Sequence, residues 1–226
     1  MYQKFFKRLF DIVSSGCALL VLSPILFYTA YLVKTRLGSP VLFTQIRPGK
    51  DGKLFKMYKF RSMTDERDAE GNLLPDDVRL TEFGKKLRSS SLDELPELIN
   101  IFKGDMSVVG PRPQLVRDMV FFSDEEMKRQ SVYPGLTGLA QISGRNNISW
   151  EDKFKYDLKY IQKVSFLEDM RIIYRTVFKV ANQDDINTEG METAEDLGDY
   201  LLRTGKVSKE EYDAKQRMAK DLLERI

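Results

Sequence analysis

The longest apolar stretch lies near the start of the chain, where residues 12 to 33 carry no charge over 22 positions and Ser23-Pro24 stands in the middle. As one helix it would measure about 33 Å, enough for a hydrocarbon core of about 30 Å. A proline inside a helix removes a donor and clashes with the preceding turn. Divided at Ser23-Pro24, the run leaves arms of about 18 and about 14 Å, each matching one leaflet. Lys4, Lys7 and Arg8 precede the run, and Lys34 and Arg36 follow it. A spanning helix would carry one basic cluster across the bilayer, whereas a bend at Ser23-Pro24 keeps both on one side. The pattern favours a re-entrant helix, with a spanning helix and a buried core helix as alternatives.

Beyond the run the hydrophobic period changes. "VLFTQIRPGKDGKLFKMYKFRSM" has two stretches rich in β-branched and aromatic residues around a turn-rich connector, and predicts a β-hairpin. "TDERDAEGNLLPDDVRLTEFG" is polar and acidic and predicts a surface loop. "SLDELPELINIFKG" sets Leu95, Leu98, Ile99 and Phe102 at helical spacing before Gly104, which predicts a short helix with an acidic start. "SVVGPRPQLV" is extended around its prolines, and "YPGLTGLAQISGRNN" reads as a glycine-punctuated loop.

Two helices follow. Trp150, Phe154, Leu158 and Ile161 form one stripe with Asp157 on its edge, where a buried carboxylate would need a partner. From Glu168 to Val180, Arg171, Arg175 and Lys179 oppose Ile172, Ile173, Thr176, Val177 and Val180. That pattern fits a helix lying on a membrane surface and equally a core-packed helix with a solvated face. From about residue 184 the chain is polar and then helical, with "SKEE" at 208–211 as a capping box, and predicts a docking helix or an oligomer contact. The expected architecture is α+β and mainly helical. A re-entrant segment (1–36) precedes a cytoplasmic domain with interfacial amphipathic helices (37–185) and a tail (186–226).

Composition narrows the chemistry. The 226 residues suffice for one substantial domain plus the anchor, and 36 basic residues against 34 acidic ones resemble no nucleic-acid-binding tail. The one cysteine, Cys17, excludes an intrachain disulfide framework and a cysteine metal cluster. There is no histidine, which removes the commonest general base, the usual zinc ligand and every Ser-His or Cys-His pair. Carboxylates, Lys, Arg and Tyr remain.

Asp93 and Glu94 in "SLDELPELIN" are the leading acids. With Asp93 as N-cap, Pro96 falls at N3 without losing a hydrogen bond, and both carboxylates sit at the positive end of the helix dipole, which favours their ionised forms. Adjacent helical residues diverge by about 100°, so one acid could attack phosphorus while the other holds a divalent cation. Acids also cap helices without any chemistry. Arg88 just upstream, Arg112 between the prolines of "GPRP", Arg145 after Gly144 and Lys59 in "YKFRS" supply cations suited to phosphate. The glycine loop has neither the ending of a P-loop nor the spacing of a dinucleotide fingerprint.

The basic start, the run with Ser23-Pro24, "YKFRSM", "SLDELPELIN", "GDMSVVGPRP" and "YPGLTGLAQISGRN" occur in an order that resembles the bacterial sugar transferase family, in particular its monotopic phosphoglycosyl transferases of the PglC type. The resemblance covers about residues 1–185. It implies transfer of a sugar-1-phosphate from a UDP-sugar to a polyprenol phosphate, expected to be undecaprenyl phosphate, with Mg²⁺ as cofactor and UMP released. It also implies a re-entrant anchor in the bacterial inner membrane, contact with membrane lipid and an active site facing the cytoplasm. Asp93 would be the nucleophile of a covalent phosphosugar intermediate with ping-pong kinetics, and Glu94 the Mg²⁺-binding neighbour. Lys59, Arg88, Arg112 and Arg145 would contact phosphates or nucleotide.

Asp157 is a second candidate on the metal side and Asp169 a supporting acid, with structural salt bridges as the alternative for both. The first sugar expected is N,N'-diacetylbacillosamine, followed by N-acetylhexosamines and plain hexoses. The setting would be the first membrane step of glycoconjugate assembly, protein glycosylation included. A non-catalytic membrane scaffold, a glycosyltransferase that moves sugar without phosphate, and a homo-oligomer stay open at this stage.

Overall fold

A π-helical turn, Tyr2–Phe6, leads into α1 (Lys7–Val21), and after Leu22 α2 (Ser23–Leu37) departs at 64° in the computed structural model, which describes residues 2–144, 148–182 and 195–225. Pro24 falls in the first turn of α2, where its missing N–H deprives no carbonyl of a bond. Ser23 Oγ donates to the Leu20 carbonyl at 2.8 Å. The pair therefore starts a second helix instead of kinking one. Among the described residues no single helix is long and apolar enough to cross a membrane, and this bent pair passes that test only together.

The polar row of α1 faces inward. Lys7, Asp11 and Ser15 are buried at four-residue spacing, while Phe6, Leu9, Val13, Leu20 and Val21 are exposed on or beside the helix. Lys7 Nζ and the Tyr2 hydroxyl donate to Asp169 Oδ2 at 2.7 and 2.6 Å, and the Tyr160 hydroxyl donates to Oδ1 at 2.7 Å. Asp11 Oδ1 accepts from Ser107 Oγ and Val108 N, each at 3.0 Å. Asp169 thus carries the structural pairing that was one of its two expected roles.

The expected hairpin is present: β1 (Leu42–Pro48) pairs antiparallel with β2 (Leu54–Phe60), from Leu42 opposite Phe60 to Pro48 opposite Leu54. The acidic segment read as loop holds one short helix, α3 (Asp76–Arg79), and the start of a second, α4 (Glu82–Ser89). Thr81 caps α4 by accepting from Gly84 N at 3.1 Å, a start signal hidden by the polarity around it. α5 (Glu97–Lys103) begins later than expected and stops at Gly104, whose φ of 101° suits glycine. It buries Glu97, Leu98, Asn100 and Ile101, and leaves Ile99 and Phe102 of the expected stripe exposed.

β3 (Ser107–Val109) precedes two short helices, α6 (Val116–Met119) and α7 (Asp124–Met127), before β4 (Gly135–Thr137) returns parallel to β3. The stretch read as a glycine loop thus holds β4 and then α8 (Leu139–Gly144). Its glycines serve backbone contact: a Cβ on Gly135 would lie 2.1 Å from Gly110 N, and one on Gly138 2.2 Å from Gly110 O.

α9 (Trp150–Gln162) buries Trp150, Phe154, Asp157 and Tyr160, whereas Leu158 and Ile161 of the expected stripe are half-buried. Asp157 and Tyr160 can face inward because Arg129 and Asp169 meet their polar atoms. α10 (Phe166–Ala181) buries Asp169 and Ile172 and exposes Leu167, Tyr174, Val177 and Phe178 beside Arg171 and Arg175. Val177, expected on a packed face, is therefore on the open one.

In the tail, α11 (Leu197–Arg203) and α12 (Lys209–Glu224) pack back on the domain. Leu197 joins Phe121, Phe122, Trp150 and Phe154 in one core cluster, with Tyr212 against it, and Leu197 N donates to Asp118 Oδ1 at 2.9 Å. Half of the capping box read there is present: Glu211 N donates to Ser208 Oγ at 3.1 Å.

The β3–β4 contact leaves no room for a side chain. Gly135→Ala should therefore destabilise the fold at or beyond the upper end of the ~1–3 kcal/mol typical of overpacking, read as a lowered midpoint in thermal unfolding.

Candidate active site

The segment carrying the two leading acids is fixed by leucines that enter different clusters. Leu92 packs with Val33, Leu37, Phe60 and Leu87, while Leu95 and Leu98 belong with Met57, Ile101 and Met106. Between them Leu92–Glu94 forms a 3₁₀ turn entered through Ser91 at φ 56°, and Pro96 occupies the N-cap of α5. Asp93 is therefore not the N-cap of the helix. The proline takes that place because a cap residue's N–H has no intrahelical acceptor to lose.

β2 is clamped to α5 by a side chain that the apolar pattern passes over. Asn100, fully buried, accepts from Tyr58 N at 3.0 Å and donates to the Lys56 carbonyl at 2.8 Å, standing in for a neighbouring strand. Lys59, one residue beyond Tyr58, then reaches the acids: its Nζ lies 2.7 Å from Glu94 Oε1 and 3.2 Å from Glu97 Oε1. Sequence reasoning missed Asn100 and Glu97 alike. The available signal was spacing: Glu97 and Asn100 share a helix face with Ile101, so an acid and an amide fall on the side that Ile101 buries.

Arg112 approaches from the β3–α6 loop, and its Nη2 donates to the same Glu94 Oε1 at 2.7 Å. The loop is tied at consecutive carbonyls. Arg129 Nη2 donates to Arg112 O at 2.7 Å, and Arg47 Nη1 donates to Pro113 O at 3.2 Å. Arg129 is in turn held by Asp157, whose Oδ2 accepts from its Nε and Nη2 at 2.9 and 2.6 Å in a buried pair. This places Asp157 behind the site as the support of Arg129, the buried salt bridge that was the alternative to its metal-side role. Arg88 lies close enough for its charge to lower the Asp93 pKa, and its Nε donates to Ser62 Oγ at 2.9 Å. Arg145 lies outside the described residues.

The two acids differ in electrostatics, where the sequence expectation had both readily ionised. Burial, then the charge of Glu94, pushes the Asp93 carboxyl up to about 6, against the pull of Lys59, Arg88 and Arg112. Burial would also raise Glu94, but the charges and hydrogen bonds of Arg112 and Lys59 outweigh it and hold Glu94 well below the usual carboxylate range. Among the described residues no donor is hydrogen-bonded to Asp93, which is 8% exposed. It combines uncommitted oxygen lone pairs with a cationic field, the requirement for a carboxylate nucleophile.

Both cations on Glu94 meet Oε1, and among the described residues no hydrogen bond reaches Oε2. Among the described residues no group of three or more acids, histidines or cysteines could cage a metal. The donor set fits Mg²⁺ nonetheless, because that ion is commonly held by one or two carboxylates and completes its shell with water and substrate phosphates.

The family described as bacterial sugar transferase matches residues 2–183. The chain is 49% identical over 189 residues to the uncharacterized sugar transferase EpsL of Bacillus subtilis, covering 84% of this chain and 94% of that protein. It is 46% identical over 184 residues to UDP-glucose:undecaprenyl-phosphate glucose-1-phosphate transferase of Klebsiella pneumoniae, covering 77% of this chain and 40% of the other. It is 37% identical over 199 residues to undecaprenyl-phosphate galactose phosphotransferase of Salmonella typhimurium, covering 80% and 42% respectively. The chain therefore spans about two-fifths of the length of these last two relatives.

The raised Asp93 carboxyl has a stability consequence. Its folded pKa of about 6 exceeds the ordinary ~3.9, so the native state binds this proton more tightly and ionisation weakens the fold. The penalty grows as pH rises from about 4 to about 6 and is constant above. Asp93→Asn should thus stabilise the protein by about 1–3 kcal/mol at pH 8 and give no gain at pH 4, measured by denaturant unfolding at both pH values.

Proposed function

Because the chain belongs to the bacterial sugar transferase family, we propose that it transfers a sugar-1-phosphate from a UDP-sugar to undecaprenyl phosphate and releases UMP. The observation that carries this reading is the unequal acid pair: Asp93, buried and without a hydrogen-bond donor among the described residues, beside Glu94, held ionised by Lys59 and Arg112.

In the first step an Asp93 carboxylate oxygen attacks the phosphorus that bears the sugar. A new P–O bond to Asp93 forms as the bond to the bridging oxygen breaks, and UMP leaves with that electron pair. In the second step a phosphate oxygen of the polyprenol phosphate attacks the same phosphorus, restoring the Asp93 carboxylate and yielding a polyprenyl diphosphate sugar. No proton transfer by histidine is needed in either step. Arg112, 43% exposed at its side chain, and Lys59 are placed to receive the donor's phosphates, with Arg88 and Arg145 as further contacts. Mg²⁺ held through Glu94, with Asp93 adjacent, would neutralise charge on the phosphate oxygens.

The membrane reading rests on the inverted polarity of α1, whose charged row is buried and whose apolar face is open. A soluble helix has the opposite arrangement. The Phe166 ring meets Tyr2 and Phe10 edge-on, so the apolar face of α1 continues onto α10, where Leu167, Tyr174, Val177 and Phe178 stand among Arg171 and Arg175. We place the bent pair as a re-entrant segment and α10 at the headgroup level of the inner membrane's cytoplasmic face, where UDP-sugars are available. The relatives named for glucose and galactose move plain hexoses ahead of N,N'-diacetylbacillosamine among donors to be tried.

With Mg²⁺, undecaprenyl phosphate and a panel of UDP-sugars, the purified protein should release UMP in an acceptor-dependent manner from one donor. Asp93→Asn should lower that rate by at least about 10³-fold while remaining folded. UDP in place of UMP would indicate transfer of sugar without its phosphate, and no nucleotide from folded protein would favour a scaffold.

Topology is tested separately by cysteines introduced at positions 3 and 37. A re-entrant segment leaves both protected from an impermeant thiol reagent in intact spheroplasts, whereas a spanning helix exposes one of them.

A further inference from the structure

The loop that presents Arg112 is held on both sides of that residue, and one of its holds leads to the tail. On the entry side Gly135 N donates to Pro111 O at 2.9 Å, and the carbonyls of Arg112 and Pro113 are taken by Arg129 and Arg47. On the exit side the hold is Asp118, 2% exposed, whose Oδ2 accepts from Leu115 N at 3.2 Å. Its other oxygen, Oδ1, accepts from Leu197 N in the tail at 2.9 Å. One buried carboxylate therefore joins the amide at the start of α6 to the amide at the start of α11, two groups that have no acceptor within their own helices.

The tail grips α6 around that carboxylate. Arg117 Nη2 lies 2.5 Å from Asp196 Oδ2, and the Phe121 ring, just past α6, lies 5.8 Å from the Tyr212 ring between centroids. α6 thus stands between the Arg112 loop and two helices that follow residue 183, where the family match ends. Pro111 and Pro113 fix φ on both sides of Arg112, which leaves Gln114 as the turnable joint before α6, and Leu115 N directly after that joint is tied to Asp118.

Resting on the transferase reading above, we propose that Asp118 is a positioning residue for Arg112: it fastens the exit of the Arg112 loop to the tail, so that α11 and α12 take part in presenting the guanidinium to the donor's phosphates. Asp118 touches no substrate. It acts by fixing Leu115 and, through the stiff Pro-Arg-Pro run, the guanidinium. A carboxylate suits the task because two donors approach two oxygens. Asparagine has one acceptor oxygen, and its NH₂ would meet the other N–H donor to donor. The tie works in both directions: if the tail's hold strengthens phosphate binding, a bound phosphate strengthens the tail's hold by the same factor.

The test uses the full chain with UMP and Mg²⁺ as probe. Leu197→Ala and Leu197→Pro both withdraw the leucine from its cluster, but only proline removes the N–H. The first position of a helix, following Asp196 at ψ 152°, accepts the proline backbone. Leu197→Pro should bind UMP about fivefold more weakly than Leu197→Ala, the low end of usual coupling between sites, and Asp118→Asn should show a similar loss against the parent. In the parent, saturating UMP should slow hydrogen exchange of the amides that open α11 by about the same factor, and in Arg112→Met, saturated in turn, it should not. With an active donor, Leu197→Pro should raise KM above that of Leu197→Ala and leave kcat within about twofold.

Equal UMP affinity in Leu197→Pro and Leu197→Ala would show that the tail only covers apolar side chains. That result overturns the proposal, as would exchange at α11 that ignores UMP in the parent, or slowing that persists in Arg112→Met. If the Leu197 variants do not fold, the exchange of parent and Arg112→Met decides alone. Parent protein that shows the coupling but releases no UMP from any donor would refute the transferase reading and leave the Asp118 tie standing. UMP release without the coupling would do the reverse, and a parent that binds no UMP refutes both.

Discussion

One carboxylate oxygen organises the site. Glu94 Oε1 receives Lys59 from β2 and Arg112 from the β3–α6 loop, each at 2.7 Å, so three separate parts of the chain converge on one atom. Two cations around one oxygen is an arrangement that water would normally dissolve, since each charge is better solvated alone. It persists because each approach is built from behind. Asn100 fixes the strand that carries Lys59, and the Asp157–Arg129 pair fixes the carbonyl of Arg112.

The result is an imposed asymmetry between neighbours that differ by one methylene. Glu94 absorbs the cations and is kept as an anion, while Asp93 sits in the same field with no bonded donor among the described residues and is less willing to ionise. A 3₁₀ turn suits this division better than a helix would. Its tighter winding ahead of Pro96 lets the two side chains separate without spending the amides of a regular first turn on capping them. Local backbone geometry, burial and ion pairing all act to separate the roles of two adjacent acids.

Much of this was legible in the sequence, and the failures have physical reasons. The hairpin, the Gly104 stop, the Ser208 cap and the division at Ser23-Pro24 could be read because each depends on neighbours in the chain. Asp93, Glu94, Lys59 and Arg112 were found as residues, but their pairing was not, since Oε1 as a shared acceptor is a property of three segments meeting. The stripe on α9 was misread at Leu158 and Ile161, which are half-buried, and at Tyr160, whose inward-facing hydroxyl is permitted only by a distant partner, Asp169, as Asp157 is by Arg129. The glycines of "YPGLTGLAQ" read as loop punctuation, yet they are the close-packed contact between β3 and β4. Glycine marks either condition, and sequence does not distinguish them.

The buried row of Lys7, Asp11 and Ser15 has a consequence for modularity. An anchor is commonly imagined as a replaceable tether, cut away or exchanged while the globular part goes on working. Here the first helix supplies the salt bridge to Asp169, the acceptor for β3 at Val108, and apolar side chains at Ala18 and Leu19 that, with Leu22 just after it, close the cluster around Leu98, Ile101 and Met106. Removing it would open the interior of the domain instead of releasing a water-soluble enzyme. On the re-entrant reading, the part proposed to meet the bilayer and the part proposed to do the chemistry share one core, so a change in how the first is seated would be transmitted to the second without any dedicated linkage.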